Sequence, residues 1–260
     1  MSDWALITGA TTGIGLELAR IFARERHNLV LTARNEARLQ EVAADLRRAN
    51  EIETRVVAKD LSTASAPQEL FDATSDLTIS TLVNNAGLGF YGDFADVPLD
   101  RHRLVMQVNM TALVELTYLF LAPMLRRGQG RILNVASMAA FQPGPTINVY
   151  YASKAFAFSF TYSLAMEVED RGITVTALCP GTTHTEFFER GGFGPVRAPL
   201  TMSARAVAEA GYRGLMRGKR LVIPGWHNRL AVQFARRMPL SVTSAVVKKL
   251  HRKRRVNGSK

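Results

Sequence analysis

Short apolar runs rich in β-branched residues alternate with longer segments of helical periodicity through most of the chain. Such alternation is typical of βαβ units, in which strands of one parallel sheet are joined by helices. We predict a single α/β domain with a doubly wound, seven-stranded parallel sheet and helices on both faces. The predicted strands are Trp4–Thr8, Leu29–Ala33, Thr54–Ala58, Thr78–Val83, Arg131–Ala136, Thr174–Cys179 and Arg220–Ile223.

Helical periodicity fills the intervals between these strands. The longest uniformly apolar stretch, near Ala112–Leu125, contains Glu115 and Pro123 and is shorter than the ~20 residues of a membrane span. We interpret it as a packed helix. The predicted helices are Leu16–Glu25, Glu36–Ala49, Arg101–Arg126, Tyr150–Arg171 and Ala204–Met216.

The basic residues are concentrated at the carboxyl end. The net charge is +11, yet residues 217–260 contain thirteen Lys or Arg and no Asp or Glu. We predict a catalytic domain at residues 1–225 and a basic amphipathic extension at residues 226–260. This extension is either a solvated tail or a contact for anionic lipid or an acidic ligand such as an acyl-CoA phosphate, and nucleic acid is not the expected partner.

Two segments outside the regular pattern have alternative interpretations. Trp226, Leu230 and Phe234 recur at helical spacing, which favours docking of this stripe on the domain over contact with a membrane surface. Residues 184–203 are rich in Gly, Pro and Phe, which favours a mobile lid over an ordered connection with buried aromatics.

The lone Cys179 and the absence of an amino-terminal signal pattern predict a cytoplasmic protein.

A glycine-rich loop follows the first predicted strand and leads directly into a helix. Glycine permits a tight turn and close backbone approach, and the free amides at a helix amino terminus attract a pyrophosphate. The spacing differs from G-x-G-x-x-G, but the strand-loop-helix context is the same. The predicted dinucleotide-binding residues of this loop are Gly9, Thr11, Thr12, Gly13, Ile14 and Gly15.

The end of the second predicted strand bears on cofactor choice. A carboxylate there would bind the adenosine ribose of NAD(H) and repel a 2′-phosphate. The chain instead has Arg34, with Arg38 four residues later, and a guanidinium suits a phosphate. We therefore predict that NADP(H) is preferred over NAD(H), with Arg34 as the discriminating residue.

Tyr150 and Lys154 are the candidate catalytic pair. They are one helical turn apart, so their side chains leave the same helix face. An ammonium beside a phenol is expected to lower the phenol pKa and produce a usable proton donor. Ser137 follows an apolar run and is expected to face the same space, whereas Tyr151 has Ala155 at its own fourth position.

In combination, several motifs resemble the short-chain dehydrogenase/reductase family, including bacterial relatives of 3-oxoacyl-CoA reductases and hydroxysteroid dehydrogenases. The resemblance covers about residues 4–223 and implies a Rossmann fold. The motifs are the glycine loop, Asp60-Leu61, Asn84-Asn85-Ala86-Gly87, Asn109, Ser137, Tyr150 to Lys154 and Pro180-Gly181.

The resemblance implies that Tyr150 exchanges a proton with the substrate oxygen and that Lys154 holds the nicotinamide ribose. It implies that Ser137 polarises the carbonyl and that Asn109 supports a water relay to Lys154. His184 is not expected to be catalytic, and no metal is expected. The further residues that it implies for cofactor binding are Asp60, Leu61, Asn85, Gly87, Pro180, Gly181, Thr183 and Thr185.

The residues expected at the mouth of the substrate site are mostly apolar. This favours an apolar ketone, a steroid-like or a fatty-acyl substrate, since a sugar would need many fixed polar partners. Relatives imply a homodimer or homotetramer formed through the two long helices. The alternative function is a non-catalytic dinucleotide sensor, or a lipid- or nucleic-acid-associated module, on the same fold. The residues expected at the mouth are Leu88, Phe90, Tyr91, Met138, Phe141, Gln142, Phe187 and Phe188.

Overall fold

The computed structural model describes residues 3–192 and 200–257. Within them, seven parallel strands form one sheet in the order β3-β2-β1-β4-β5-β6-β9, and β7 pairs with β8 beside it. The strands are β1 (Trp4–Thr8), β2 (Asn28–Thr32), β3 (Thr54–Val56), β4 (Ile79–Asn84), β5 (Gly130–Val135), β6 (Ile173–Leu178), β7 (Thr183–His184), β8 (Met202–Ser203) and β9 (Leu221–Val222).

Helices cover both faces of this sheet, and a π-helical turn at Gln107–Thr111 separates α4 from α5. Short 3₁₀ helices occupy Met138–Phe141 and Glu169–Arg171. The helices are α1 (Gly13–Arg24), α2 (Glu36–Asn50), α3 (Ala66–Asp72), α4 (Leu99–Met106), α5 (Ala112–Arg127), α6 (Asn148–Glu167), α7 (Phe187–Arg190), α8 (Ala204–Met216), α9 (Trp226–Arg237) and α10 (Leu240–Asn257).

The sheet is buried on both faces, as its nearly continuous apolar strands require. Alternate residues of β1 point to opposite sides: Ala5 and Ile7 pack with α1, α2 and α8, whereas Trp4 and Leu6 pack with α3, α5 and α6. The strand order reverses between β1 and β4, and at such a switch point an open α/β sheet has its ligand crevice at the carboxyl ends of the strands.

The predicted α/β fold with seven parallel strands is confirmed, with strand limits shifted by one or two residues. The sequence pattern missed α3 and the π turn within the segment predicted as one helix, Arg101–Arg126. The stretch Leu99–Arg127 has the length and composition of a membrane span. However, Leu116, Phe120 and Met124 are buried against the sheet, so it is a core helix, as the sequence indicated.

The carboxyl-terminal segment forms two helices, and its orientation corrects one expectation. In α9 the buried residues are Asn228, Val232 and Ala235, whereas the apolar stripe that was expected to dock is exposed on the other side.

The division into domains at residue 225 stays a prediction. The proposed lid is described at both ends, as β7–α7 and β8, and its residues 193–199 lie outside the described part of the chain.

Candidate active site

A cleft of about 1100 Å³ lies at the carboxyl ends of the strands, where the strand order reverses. It gathers nearly every site residue expected from the sequence, and Gly15 and Asn109 lie directly behind its wall. The expected residues in the lining are Gly9, Thr11, Thr12, Gly13, Ile14, Arg34, Asp60, Leu61, Asn85, Gly87, Ser137, Tyr150, Lys154, Pro180, Gly181, Thr183 and Thr185.

The glycine loop leaves no room for larger side chains. Gly9 has φ +65°, and a Cβ there would lie 2.9 Å from Asn85 Nδ2. Gly13 has φ +57°, and its Cβ would lie 2.9 Å from Thr185. A Cβ on Gly15 would collide with the Gly9 carbonyl oxygen. Glycine is therefore required here by sterics as well as by backbone conformation.

The amino terminus of α1 opens into the cleft beside this loop. Thr12 is the N-cap and makes no side-chain capping bond, and the first turn contains no acidic residue. The first amides of a helix lack partners within the helix, and its dipole favours an anion. The loop and the helix end together fit a dinucleotide pyrophosphate.

Asn85 fastens the loop to the neighbouring strand end. Its Nδ2 donates to the carbonyl oxygens of Thr8 at 2.9 Å and of Gly9 at 3.3 Å. Its backbone N–H donates to Thr8 Oγ1 at 2.9 Å. These bonds hold the carboxyl ends of β1 and β4 together and fix the shape of the glycine loop.

The end of the cleft beside β2, where adenosine was predicted to bind, presents two arginines in different states. Arg38 forms an exposed ion pair with Glu41 at 2.6 Å. Arg34 lines the cleft, is exposed, and has no ion pair within the described residues. Asp60 lies on the same wall, with one carboxylate oxygen accepting from the Ser62 amide at 3.0 Å. Arg34 is thus the guanidinium available to an added phosphate.

Tyr150 and Lys154 lie on one face of α6, as their spacing requires. The Lys154 Nζ donates to the Val135 carbonyl oxygen at 2.8 Å and lies 5.8 Å from the centroid of the Tyr150 ring. Ser137, at the amino terminus of the 3₁₀ helix, accepts from the Ala139 amide at 3.1 Å and lines the cleft together with Tyr150. Phenol, hydroxyl and ammonium therefore meet at one end of the cleft.

The electrostatics of this pair correct the expectation of a lowered phenol pKa. Burial raises the pKa of Tyr150 above its ordinary value, and the nearby Ser137 hydroxyl opposes this increase only in part. Burial also lowers the pKa of Lys154 to about 8. The expectation is wrong because both groups are withdrawn from water, and withdrawal disfavours the charged form of each.

Asn109 lies in the π turn and holds the active-site wall. Its Oδ1 accepts from the Leu88 amide, and its Nδ2 donates to the Leu88 carbonyl oxygen, both at 2.9 Å. Nδ2 also donates to Ser153 Oγ at 3.0 Å, and Ser153 Oγ donates to the Tyr150 carbonyl oxygen at 2.7 Å. A Cβ on Gly87 would lie 3.2 Å from Lys154 Nζ and 3.4 Å from Asn109 Oδ1, so these two groups face the same small space.

The expected mouth residues are only partly present in the cleft. Tyr91 and Phe141 do not line it, and the side chain of Phe188 lies outside what the structure describes. Tyr151 does line it, although it has no lysine one turn later. Phe187 packs on Tyr150 with ring centroids 5.2 Å apart. The expected mouth residues found in the lining are Leu88, Phe90, Met138, Gln142 and Phe187.

Sequence reasoning missed that α9 and α10 form a further wall of the cleft. The spacing of Trp226, Leu230 and Phe234 indicated a helical segment at α9 but not which face would turn towards the site, and α10 was not predicted as a helix. The π turn gave no sequence signal either, since its residues continue an ordinary helical pattern. The residues of α9 and α10 in the lining are Asn228, Ala231, Phe234, Ala235, Thr243, Val246, Val247, Leu250 and His251.

Comparison with known proteins places these features in a family context. Residues 3–191 match the family model described as short chain dehydrogenase. Sulfoacetaldehyde reductase 2 of Chromohalobacter salexigens is 39% identical over 191 residues, which are 72% of this chain and 75% of that protein. The 7beta-hydroxysteroid dehydrogenase of Mediterraneibacter gnavus is 31% identical over 183 residues, 70% of each chain.

A solved structure extends the likeness to the whole architecture. The short-chain dehydrogenase from Sphingobium yanoikuyae in complex with NADPH superposes with a TM-score of 0.84 at 32% identity. The match covers 90% of this chain and 93% of that one.

Proposed function

The chain belongs to the short-chain dehydrogenase family and is an oxidoreductase of alcohol and carbonyl groups, and we propose that it is an NADP(H)-dependent reductase of an apolar ketone, steroid-like or fatty-acyl carbonyl. The observation that supports this proposal is the meeting of Tyr150, Ser137 and Lys154 at one end of a cleft whose other end is the glycine loop.

In the proposed reaction a nicotinamide held in the cleft would supply the hydride to the carbonyl carbon, or would accept it from the alcohol. Ser137 and Tyr150 hydrogen-bond the substrate oxygen, and Tyr150 donates its proton as negative charge develops there. A phenol with a raised pKa is fully protonated at neutral pH, which suits a donor. Lys154, whose Nζ now donates to the Val135 carbonyl oxygen, would hold the nicotinamide ribose, and Asn109 would support a water relay to it.

An apolar substrate is favoured over a small sulfonate, although one relative is named a sulfoacetaldehyde reductase. Among the described lining residues, the lysines and arginines other than Lys154 are Arg34, Arg38 and Lys59, all at the adenosine end. A buried sulfonate without a cation would lose its hydration and gain no compensating partner. The lining instead contains many apolar side chains, and Phe187 packs on Tyr150. The others include Leu88, Phe90, Met138 and Val247.

A substrate panel tests this proposal. NADPH oxidation by the purified protein is followed with bulky ketones, ketosteroids, 3-oxoacyl thioesters and sulfoacetaldehyde. We expect kcat/KM to be highest for a bulky apolar carbonyl. A preference for sulfoacetaldehyde would contradict the substrate class, and tight NADPH binding without turnover of any substrate would favour the alternative function of a dinucleotide sensor.

Arg34→Asp tests the cofactor preference. The substitution removes a guanidinium and places a carboxylate where a 2′-phosphate would lie, so it should reverse the ratio of kcat/KM for NADPH and NADH, with a total change of at least about 100-fold. Steady-state kinetics with both cofactors measure this ratio. Arg38→Asp is the matched control and should change it less, because Arg38 is already paired with Glu41. An unchanged ratio in Arg34→Asp would refute the assignment.

We also propose a homodimer or homotetramer built through α5 and α6. Tyr118, Phe156, Tyr162 and Met166 of these helices are large, apolar or aromatic, and exposed in the single chain. Their burial in an interface would remove this surface from water. Light scattering of the purified protein decides between two and four copies.

The proposed setting of the protein is the cytoplasm, where the buried thiol of Cys179 stays reduced.

A further inference from the structure

The outward face of α9 is apolar over three successive turns. Trp226, Leu230 and Phe234 are 71%, 61% and 60% exposed, while the opposite face of the helix is buried against the domain. An indole, an isobutyl group and a phenyl ring in one row form an unusually apolar surface for a helix whose other exposed residues are largely polar. This stripe lies beyond residue 191, where the match to the family model ends.

The stripe continues onto the rim of the cleft. Phe234 of α9 and Val246 and Leu250 of α10 are exposed, and each of them also lines the cleft. The exposed apolar surface and the apolar interior of the site are therefore continuous. A substrate dissolved in a lipid phase that touched this rim could enter the cleft without crossing water.

Hydrogen bonds of His251 hold α10 against the rest of the chain, so the rim of the cleft has a defined shape. His251 is buried, and its Nδ1 lies 2.9 Å from the Pro145 carbonyl oxygen and 3.2 Å from Thr146 Oγ1. The Tyr91 hydroxyl donates to the His251 carbonyl oxygen at 3.1 Å. These bonds tie α10 to the loop that precedes α6 and to the segment that follows β4.

The positive charge around this rim favours an anionic lipid surface over a neutral one. Arg229, Arg236 and Arg237 of α9 and the lysine pair at positions 248–249 of α10 are exposed. Residues 217–260 contain thirteen basic and no acidic residues, so nothing in this stretch opposes the positive field. Basic side chains flanking an exposed apolar row are the composition of helices that lie in the interface of an anionic bilayer.

We propose that the exposed faces of α9 and α10 dock on an anionic membrane surface and present the mouth of the cleft to the bilayer. Trp226, Leu230 and Phe234 enter the headgroup region, and the flanking arginines and lysines contact the lipid phosphates. This inference deepens the proposed function, since it rests on an apolar substrate that partitions into lipid. Its test below uses no turnover, so the two proposals can fail separately.

The two tryptophans make the docking face directly observable. Trp4 is 7% exposed in the core and Trp226 is 71% exposed, so a lipid-dependent change in tryptophan emission reports on Trp226. The full-length protein is mixed with vesicles of phosphatidylcholine alone or with added phosphatidylglycerol. We expect a blue shift and quenching by brominated acyl chains with the anionic vesicles only, and loss of both effects in high salt.

Leu230→Glu is the diagnostic variant, because Leu230 is exposed and does not line the cleft. Loss of its apolar burial should weaken partitioning onto anionic vesicles by about tenfold or more, with turnover of a water-soluble ketone unchanged. Leu99→Glu is the matched control, with the same substitution at a leucine of α4 that is 57% exposed and does not line the cleft. It should bind vesicles like the wild type.

Three results would overturn the proposal. The first is an emission spectrum of Trp226 that does not respond to anionic vesicles. The second is equal vesicle binding by wild type and Leu230→Glu. The third is a lower molecular mass of Leu230→Glu in light scattering together with no vesicle binding by the wild type, which would identify the face as a contact between copies of the chain.

Discussion

Tyr150→Phe is expected to lower kcat for ketone reduction by about 10²–10⁴-fold, the usual contribution of a positioned general acid. The substitution removes only the phenol hydroxyl and leaves the ring packed on Phe187. The glycine loop and Arg34 are untouched, so the Kd for NADPH should stay within about threefold of the wild-type value. Stopped-flow hydride transfer and fluorescence titration with NADPH measure the two quantities.

Tyr151→Phe is the control for this prediction. Tyr151 also lines the cleft, but its ring packs near His251, with centroids 6.0 Å apart, and it has no lysine one turn later. We expect kcat to change by less than about threefold. Equal losses in the two variants would mean that the phenol of Tyr150 is not the proton donor, and an equal loss of NADPH affinity would assign it a binding role instead.

Much of the fold and of the cleft could be predicted because the signals are local. Each strand is a short apolar run that ends in polar or glycine residues, and parallel strands bring these ends to one edge of a sheet. The spacing of Tyr150 and Lys154 likewise fixes a shared helix face without knowledge of tertiary structure. Consequently the glycine loop, Ser137, Tyr150 and Lys154 could all be placed in one cleft from sequence.

What the sequence did not reveal depends on contacts between distant segments. The π turn that holds Asn109 is stabilised by Leu88 and Ser153, which are 21 and 44 residues away. The prediction that the apolar stripe of α9 docks on the domain was wrong, because Val232 and Ala235 on the other face pack there instead. The pKa of Tyr150 also depends on burial, which spacing alone does not give.

Lys154→Met is expected to separate activity from stability. The variant loses the ammonium that faces the Tyr150 ring and the Asn109 amide, and we expect kcat for ketone reduction to fall by at least about 10²-fold. In the wild type, kcat should also fall as the pH rises above about 8, because burial lowers the pKa of Lys154 to about 8. Single-turnover rates across pH 6–10 measure both effects.

The same substitution should raise the free energy of unfolding. A lysine pKa lowered from 10.5 to about 8 corresponds to a cost of about 3 kcal/mol for burying the charge at neutral pH. Loss of the hydrogen bond to the Val135 carbonyl oxygen offsets about 1 kcal/mol of this, so the net gain is about 2 kcal/mol.

The difference in stability between Lys154→Met and the wild type depends on pH. Between pH 8 and 10.5 the unfolded chain holds the proton on Lys154 that the folded chain has released, so the contribution of this site to stability increases with pH. The advantage of Lys154→Met over the wild type should therefore be fully present below pH 8 and diminish as the pH rises towards 10.5. Urea unfolding at pH 7 and pH 9.5 measures it, and a variant less stable than the wild type at pH 7 would show that the ammonium stabilises the fold.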